Sequence, residues 1–241
     1  NSHSKISENP SLVFKVNALA PVAIMQRIAS TGLKAKFFHA SSAYIFEGTG
    51  GNVNENTVPV PTGTYGVSKL AAHSMVQHFR KNGMFACNGI LFNHESPKRP
   101  LDFVTRKITH AAAAISLGKQ KEGVTLGNLD ARRDWGFAGD YVEAMWLMLQ
   151  QKEPEDYLVA TGEAHTVRDF CQEAFSHAGL RWEEHVKSDE KLVRKSEQHL
   201  QADITKIKSK LGWAPKTGFK ELVHMMVDSD MEGIRQGRVI A

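Results

Sequence analysis

Tyr65 and Lys69 stand four residues apart in the run Thr64-Tyr65-Gly66-Val67-Ser68-Lys69. Leu70, Met75, Val76 and Phe79 follow at the spacing of an amphipathic helix that closes at Gly83, and they predict its inward face. On a helix, side chains at i and i+4 share a face. An ammonium beside a phenol favours the phenolate and draws a pKa of about 10 towards neutrality. Such a pair is an acid/base for moving one proton at a substrate oxygen. The same spacing occurs on solvated helices, so the flanking elements decide what the pair means.

Upstream, Phe37-Phe38-His39-Ala40-Ser41-Ser42 is an apolar run ending in two serines, the pattern of a buried strand at residues 35–41. Downstream, Ala86-Cys87-Asn88-Gly89-Ile90-Leu91-Phe92-Asn93 reads as a second buried strand within 84–92. The order strand–Ser, Tyr-x-x-x-Lys helix, strand–Asn resembles that of the short-chain dehydrogenase/reductase superfamily. The resemblance implies that the serine hydroxyl binds the substrate oxygen beside the tyrosine, next to a nicotinamide ring.

The remaining chain must position these groups. Its 241 residues, 41% hydrophobic and 23% charged, suffice for one large domain or a domain with an appended lobe. Cys87 and Cys171 lie in apolar contexts, which fits a cytoplasmic or organelle interior rather than secretion, and argues against a disulfide framework or a metal site. No apolar run is read as a membrane span. The formal net charge of +4 is spread along the chain. That excludes a nucleic-acid partner and leaves an anionic small molecule.

Asn9-Pro10 predicts a helix start, with the helix running to Gly32 and kinked or broken at Pro21. Residues 48–61, rich in glycine and proline, predict a loop over the mouth of the site. Helices are expected at 104–117, 140–150 and 167–178, with Val142, Met145, Trp146 and Leu149 as a core stripe on the second. Residues 124–127 and 157–160 read as short strands, 187–195 as a charged surface loop, and 204–211 and 219–234 as terminal helices. The expected fold is α/β, a partial Rossmann-like doubly wound parallel sheet with a smaller α/β substrate-binding lobe. No Gly-x-x-Gly-x-x-Gly follows a strand, so the phosphate-cradling half of a dinucleotide fold is not expected in this chain.

Longer runs narrow the resemblance. Gly89-Ile90-Leu91-Phe92-Asn93-His94-Glu95-Ser96-Pro97, Phe103-Val104-Thr105-Arg106-Lys107-Ile108-Thr109, Leu126-Gly127-Asn128-Leu129-Asp130-Ala131-Arg132-Arg133-Asp134-Trp135-Gly136 and Asp140-Tyr141-Val142-Glu143-Ala144-Met145-Trp146-Leu147-Met148-Leu149-Gln150 are similar to those of the GDP-mannose 4,6-dehydratases, extended short-chain enzymes. Ala160-Thr161-Gly162-Glu163 and Lys210-Leu211-Gly212-Trp213 add to them. The resemblance implies that residues 1–93 are the later part of an NADP-binding Rossmann domain whose glycine-rich half is missing. Residues 94–241 would be mainly the substrate lobe, with 131–163 returning to the sheet.

It also implies roles. Ser42, Tyr65 and Lys69 would be catalytic. Asn1, Ser2, Tyr65, Lys69, His94 and Arg99 would contact NADP, if the missing amino-terminal part is supplied. Asn93, Lys107, Arg133, Arg194 and Glu197 would hold the GDP-sugar. A guanidinium fork at Arg133 suits a diphosphate; the alternative is an ion pair with Asp134 or Asp140. An open sheet edge implies a homo-oligomer or a larger complex.

One departure bears on the reaction. Family dehydratases carry Ser-Thr-Ser-Glu after this strand, the glutamate removing the C5 proton, where this chain has Ser41-Ser42-Ala43-Tyr44. A phenol of ordinary pKa is a poor substitute base. Three readings follow: a GDP-mannose 4,6-dehydratase-like enzyme, a non-catalytic accessory or scaffold subunit, and a GDP-sugar reductase or epimerase.

Overall fold

Asn9 opens the first helix by accepting the N–H of Leu12 on its side-chain oxygen at 3.0 Å, and Pro10 takes the position where a missing N–H costs nothing. The helix, α1, runs Pro10–Thr31 and closes at Gly32 with φ +67°. The expected break at Pro21 does not occur. A widened π-type turn at Lys15–Leu19 makes room for the proline ring, whose clash with the carbonyl four residues back would otherwise interrupt the helix. The computed structural model describes residues 9–192 and 199–237.

Three parallel strands form the main sheet: β1 (Phe37–Ser42), β3 (Ala86–Leu91) and β8 (Tyr157–Val159), in the order β1-β3-β8. All six residues of β3 are buried, as a central parallel strand requires. Helix α2 (Thr64–Lys81) crosses from β1 to β3 on one face of the sheet, with α1 packed on it. Helix α4 (Ala138–Gln150) covers the other face. Helices on both faces of a parallel sheet give the doubly wound layout that the pattern predicted.

Two expectations are corrected here. The inward face of α4 is Tyr141, Ala144 and Met148, while Val142 and Trp146 are about 60% exposed. Met145 and Leu149 of the expected stripe pack against the core, but the apolar run on this helix exceeds one stripe, so periodicity alone did not turn Val142 and Trp146 outward. Residues 48–61 do not cover the site. They carry β2 (Gly51–Val53), which pairs with β11 (Leu200–Ala202), and Glu55 accepts the edge N–H of Leu158 at 2.8 Å.

The α1 span also departs from the reading. By length and composition alone, its mean hydropathy of 1.3 would suit a membrane crossing. In the fold it lies along α2 with Val13, Ala18 and Met25 buried.

A second core is built from α3 (Val104–Ser116), α5 (Val167–His177) and α7 (Phe219–Arg235), around Ile108, Trp135, Phe170, Phe175, Leu222 and Met226. Ala111–Ala114 of α3 are all buried, and their small size lets α7 approach closely. Across that contact Arg106 pairs with fully buried Asp230 at 2.9 Å, and Thr109 donates to the same carboxylate. Thr166 and Asp169 form a reciprocal capping box at the start of α5. Between the cores run β4 (Asn93–Glu95), β6 (Arg132–Arg133) and β7 (Trp135–Phe137), with β4 and β7 parallel. β5 (Val124–Leu126) pairs with β10 (Val186–Ser188) inside the region expected as loop, while β6 pairs with β9 (His165–Thr166). The chain ends on α6 (Thr205–Leu211) and α7.

Candidate active site

β1 ends at Ser42, whose Oγ accepts the N–H of Tyr44 at 3.3 Å and starts a tight turn. The first turn of α2 closes directly on that segment. A Cβ at Gly66 would stand 2.6 Å from the Tyr44 carbonyl oxygen, so only glycine permits the approach. The Tyr65 phenol and the Ser42 hydroxyl are consequently hydrogen-bonded. One turn on, Lys69 Nζ donates to the carbonyl of Ala40 at 3.0 Å and sits 5.7 Å from the Tyr65 ring centroid.

The electrostatics differ from the simple pair. Burial pushes the Tyr65 phenol up, Ser42 lowers it, the neighbouring Tyr44 raises it and Arg99 lowers it; the balance is upward. The expected drop towards neutrality is therefore corrected: desolvation of the phenolate outweighs the favourable contacts. Burial lowers the Lys69 ammonium at the same time. Burial thus disfavours the charged form of both groups.

These residues line a cavity of about 540 Å³ together with Asn93, His94, Arg99, Lys107 and Arg133. The three catalytic candidates and the five described binding candidates are therefore brought to one site, whereas Asn1, Ser2, Arg194 and Glu197 lie outside the described residues. Buried Glu95 pairs with Arg99 at 3.2 Å and also accepts from Thr105 at 2.8 Å. Phe103 lies under the same guanidinium, 3.5 Å from its ring centroid. His94 Nδ1 donates to the Phe92 carbonyl at 2.8 Å, and burial lowers the ring's pKa, leaving it neutral. The carboxylates weighed as partners for Arg133 take other donors: Asp134 accepts from Thr161 and Gly162, and Asp140 accepts from the backbone N–H groups of Lys216 and Thr217.

Sequence reasoning missed Asp102, Phe103 and Asn128 in the cavity wall and Glu95 behind Arg99. Glu95 carried a signal, standing at i−4 from the arginine. Phe103 stands at i+4 from the same arginine, while Asn128 reaches the cavity through tertiary packing.

The match to known proteins follows this geometry. A model of the family described as GDP-mannose 4,6 dehydratase fits residues 2–226. This chain belongs to that family. It is 46% identical to GDP-mannose 4,6 dehydratase 1 of Arabidopsis thaliana, with all of this chain and 68% of that protein aligned. To the GDP-mannose 4,6 dehydratase of Homo sapiens it is 44% identical, covering 97% of this chain and 69% of the other. The chain thus spans about two thirds of the length of these members of the GDP-mannose 4,6-dehydratase family.

Solved structures show the same fold at lower identity. RMD from Pseudomonas aeruginosa, complexed with NADPH, superposes with a TM-score of 0.86 at 21% identity, covering 95% of this chain and 77% of that one. DesIV, a dTDP-glucose 4,6-dehydratase from Streptomyces venezuelae with NAD and TYD bound, gives 0.81 at 18%, covering 95% and 70%. These place the family member in the Rossmann-type fold of dehydratases and epimerases.

Proposed function

We propose that this chain is the sugar-reacting part of an NADP-dependent GDP-hexose enzyme. The observation that carries the reading is the convergence of Ser42, Tyr65 and Lys69 on one cavity that Arg99, Lys107 and Arg133 also line. Lys107 and Arg133 suit a nucleoside diphosphate, and the phenol and hydroxyl suit a sugar oxygen.

The wall fits the nicotinamide-ribose end of a dinucleotide: the backbone at Ala40 is exposed beside Lys69, and His94 and Arg99 stand nearby. Bound there, NADP would supply hydride acceptance at the sugar C4. Ser42 orients the C4 oxygen, and Tyr65, after giving up its own phenolic proton to solvent, accepts the C4 hydroxyl proton as the C4 hydride leaves; Lys69 stabilises that phenolate. In a 4,6-dehydratase the C5 proton and the C6 hydroxyl then leave as water, the hydride returns to C6, and a proton returns to C5. No carboxylate occupies the place of the family's C5 base; Tyr44 stands there, its ring edge-on to Tyr65.

That substitution favours a second reading, a reductase or epimerase at C4, in which hydride and proton move without loss of water. Mass spectrometry of GDP-mannose incubated with the chain and NADP separates them. Loss of 18 mass units supports the dehydratase reading. Turnover of a 4-keto GDP-sugar with NADPH, without dehydration, supports the second. Neither product, together with unchanged GDP-mannose affinity in Arg133→Ala, overturns both.

A further inference from the structure

The α2 face that carries Tyr65 and Lys69 continues at the same four-residue spacing with His73 and Gln77, neither of which lines the cavity. His73 is 6% exposed, with Nδ1 3.0 Å from Ser41 Oγ and Nε2 3.1 Å from Nε2 of Gln77. The same Gln77 nitrogen donates to Asp156 Oδ2 at 3.0 Å, which identifies it as the amide NH2. His73 Nε2 is therefore an acceptor, and the ring's single proton sits on Nδ1 and is donated to Ser41. Asp156 Oδ2 stands 3.7 Å from Nε2, beyond hydrogen-bond length. Its carboxylate is held by Arg80 and by the backbone and side chain of Asn88.

Three consecutive β1 residues thus each hold one α2 residue, on successive helical turns: Ser42 holds Tyr65, Ala40 holds Lys69 and Ser41 holds His73. We propose that neutral His73 is a positioning residue for the Tyr65–Lys69 pair: its Nδ1–H holds α2 in register against β1 through Ser41, and protonation at Nε2, which leaves that bond in place, breaks the Gln77 tie from α2 to Asp156. The proposal rests on the reading of Tyr65 and Lys69 as the acid/base.

Protonation would put a second donor on Nε2, opposite the Gln77 NH2, so that amide must turn away and surrender its bond to Asp156. It would also add a cation beside Arg80, which already pairs with Asp156. The titratable groups acting on the ring are Asp156 ahead of β8 and Arg80 on α2, and the ring acts in turn on His39 from β1. His39 is neutral, lowered to about 3 by burial and by Lys69, and the Cys87 thiol is pushed up to about 12. Burial and Arg80 hold His73 below its ordinary value against the pull of Asp156.

Nuclear magnetic resonance of ring-labelled tyrosine and histidine tests this without turnover. On acidification below about pH 6.5, the Tyr65 resonance should move in the wild type with the midpoint of His73. His73→Gln, which can still bond Ser41 but cannot protonate, should match the wild type at neutral pH and lose the acid shift. His73→Phe should be displaced at every pH. An acid shift that persists in His73→Gln, or a His73→Phe spectrum that overlays the wild type, overturns the proposal; if the phenylalanine variant does not fold, the glutamine variant decides alone. In turnover, His73→Phe should lose about ten- to a hundredfold in kcat and His73→Gln should lose the acid limb of the pH profile. Turnover absent from every variant, with the resonance pattern intact, overturns the acid/base reading and leaves the positioning role standing.

Discussion

The rings of Tyr44 and Tyr65 meet edge to face, centroids 5.6 Å apart and planes at 88°. This contact puts a second phenol beside the proposed acid/base, and its negative form would raise Tyr65 further. On the proposed reading, the position that would decide between elimination and simple hydride transfer is therefore in van der Waals reach of the residue common to both.

Tyr44→Glu restores a carboxylate at that place. If the dehydratase chemistry lacks only its base, this variant should raise the yield of dehydrated GDP-sugar by about 10²–10⁴-fold over the parent chain. Tyr44→Phe should leave the ratio of products unchanged. Product analysis by mass spectrometry checks both, and equal yields from Glu and Phe would place the block elsewhere.

Tyr65→Phe removes the proton carrier while keeping the ring against Tyr44. Activity should fall by about 10²–10⁴-fold, with the melting temperature changed by no more than the loss of one Ser42 hydrogen bond, about 1 kcal/mol. A parallel loss of activity and of cooperative unfolding would show a structural role instead.

The Arg106–Asp230 pair lies between α3 and α7, with Asp230 fully buried. Asp230→Ala leaves the guanidinium uncompensated and Thr109 without its acceptor, and should cost about 3–5 kcal/mol. Replacing both partners by Met and Leu should be neutral or stabilising by about 1–4 kcal/mol. Urea unfolding measures each, and a double variant less stable than Asp230→Ala would contradict the argument.

Asp134 is raised to about 6 by burial, against the three donors from Thr161 and Gly162. A folded pKa above the unfolded value of 3.8 means that the folded state binds the proton more tightly. This stability is fully present below 3.8 and is lost as pH rises through about 6. Asp134→Asn removes the titration, so the wild type's advantage over it should shrink by up to about 3 kcal/mol between pH 4 and pH 7. Thermal unfolding of both proteins across that range checks the sign, and an advantage that grows with pH would refute it.

What the sequence determined by itself was the kind of site and the kind of sheet. Tyr65 and Lys69 share a face because helical geometry is local, and the strand at Phe37–Ser42 is apolar because it is covered on both sides. Asn93, His94, Arg99, Lys107 and Arg133, named from the family resemblance, line one cavity. The sign of the Tyr65 shift was not legible, because desolvation depends on everything packed around the phenol. Nor was the outward turn of Trp146, since a helix apolar on more than one side does not say which side the sheet takes. Only the tertiary structure joined His73, Ser41, Gln77 and Asp156. These residues come from three separated segments, and their proximity follows from how β1, α2 and β8 stack.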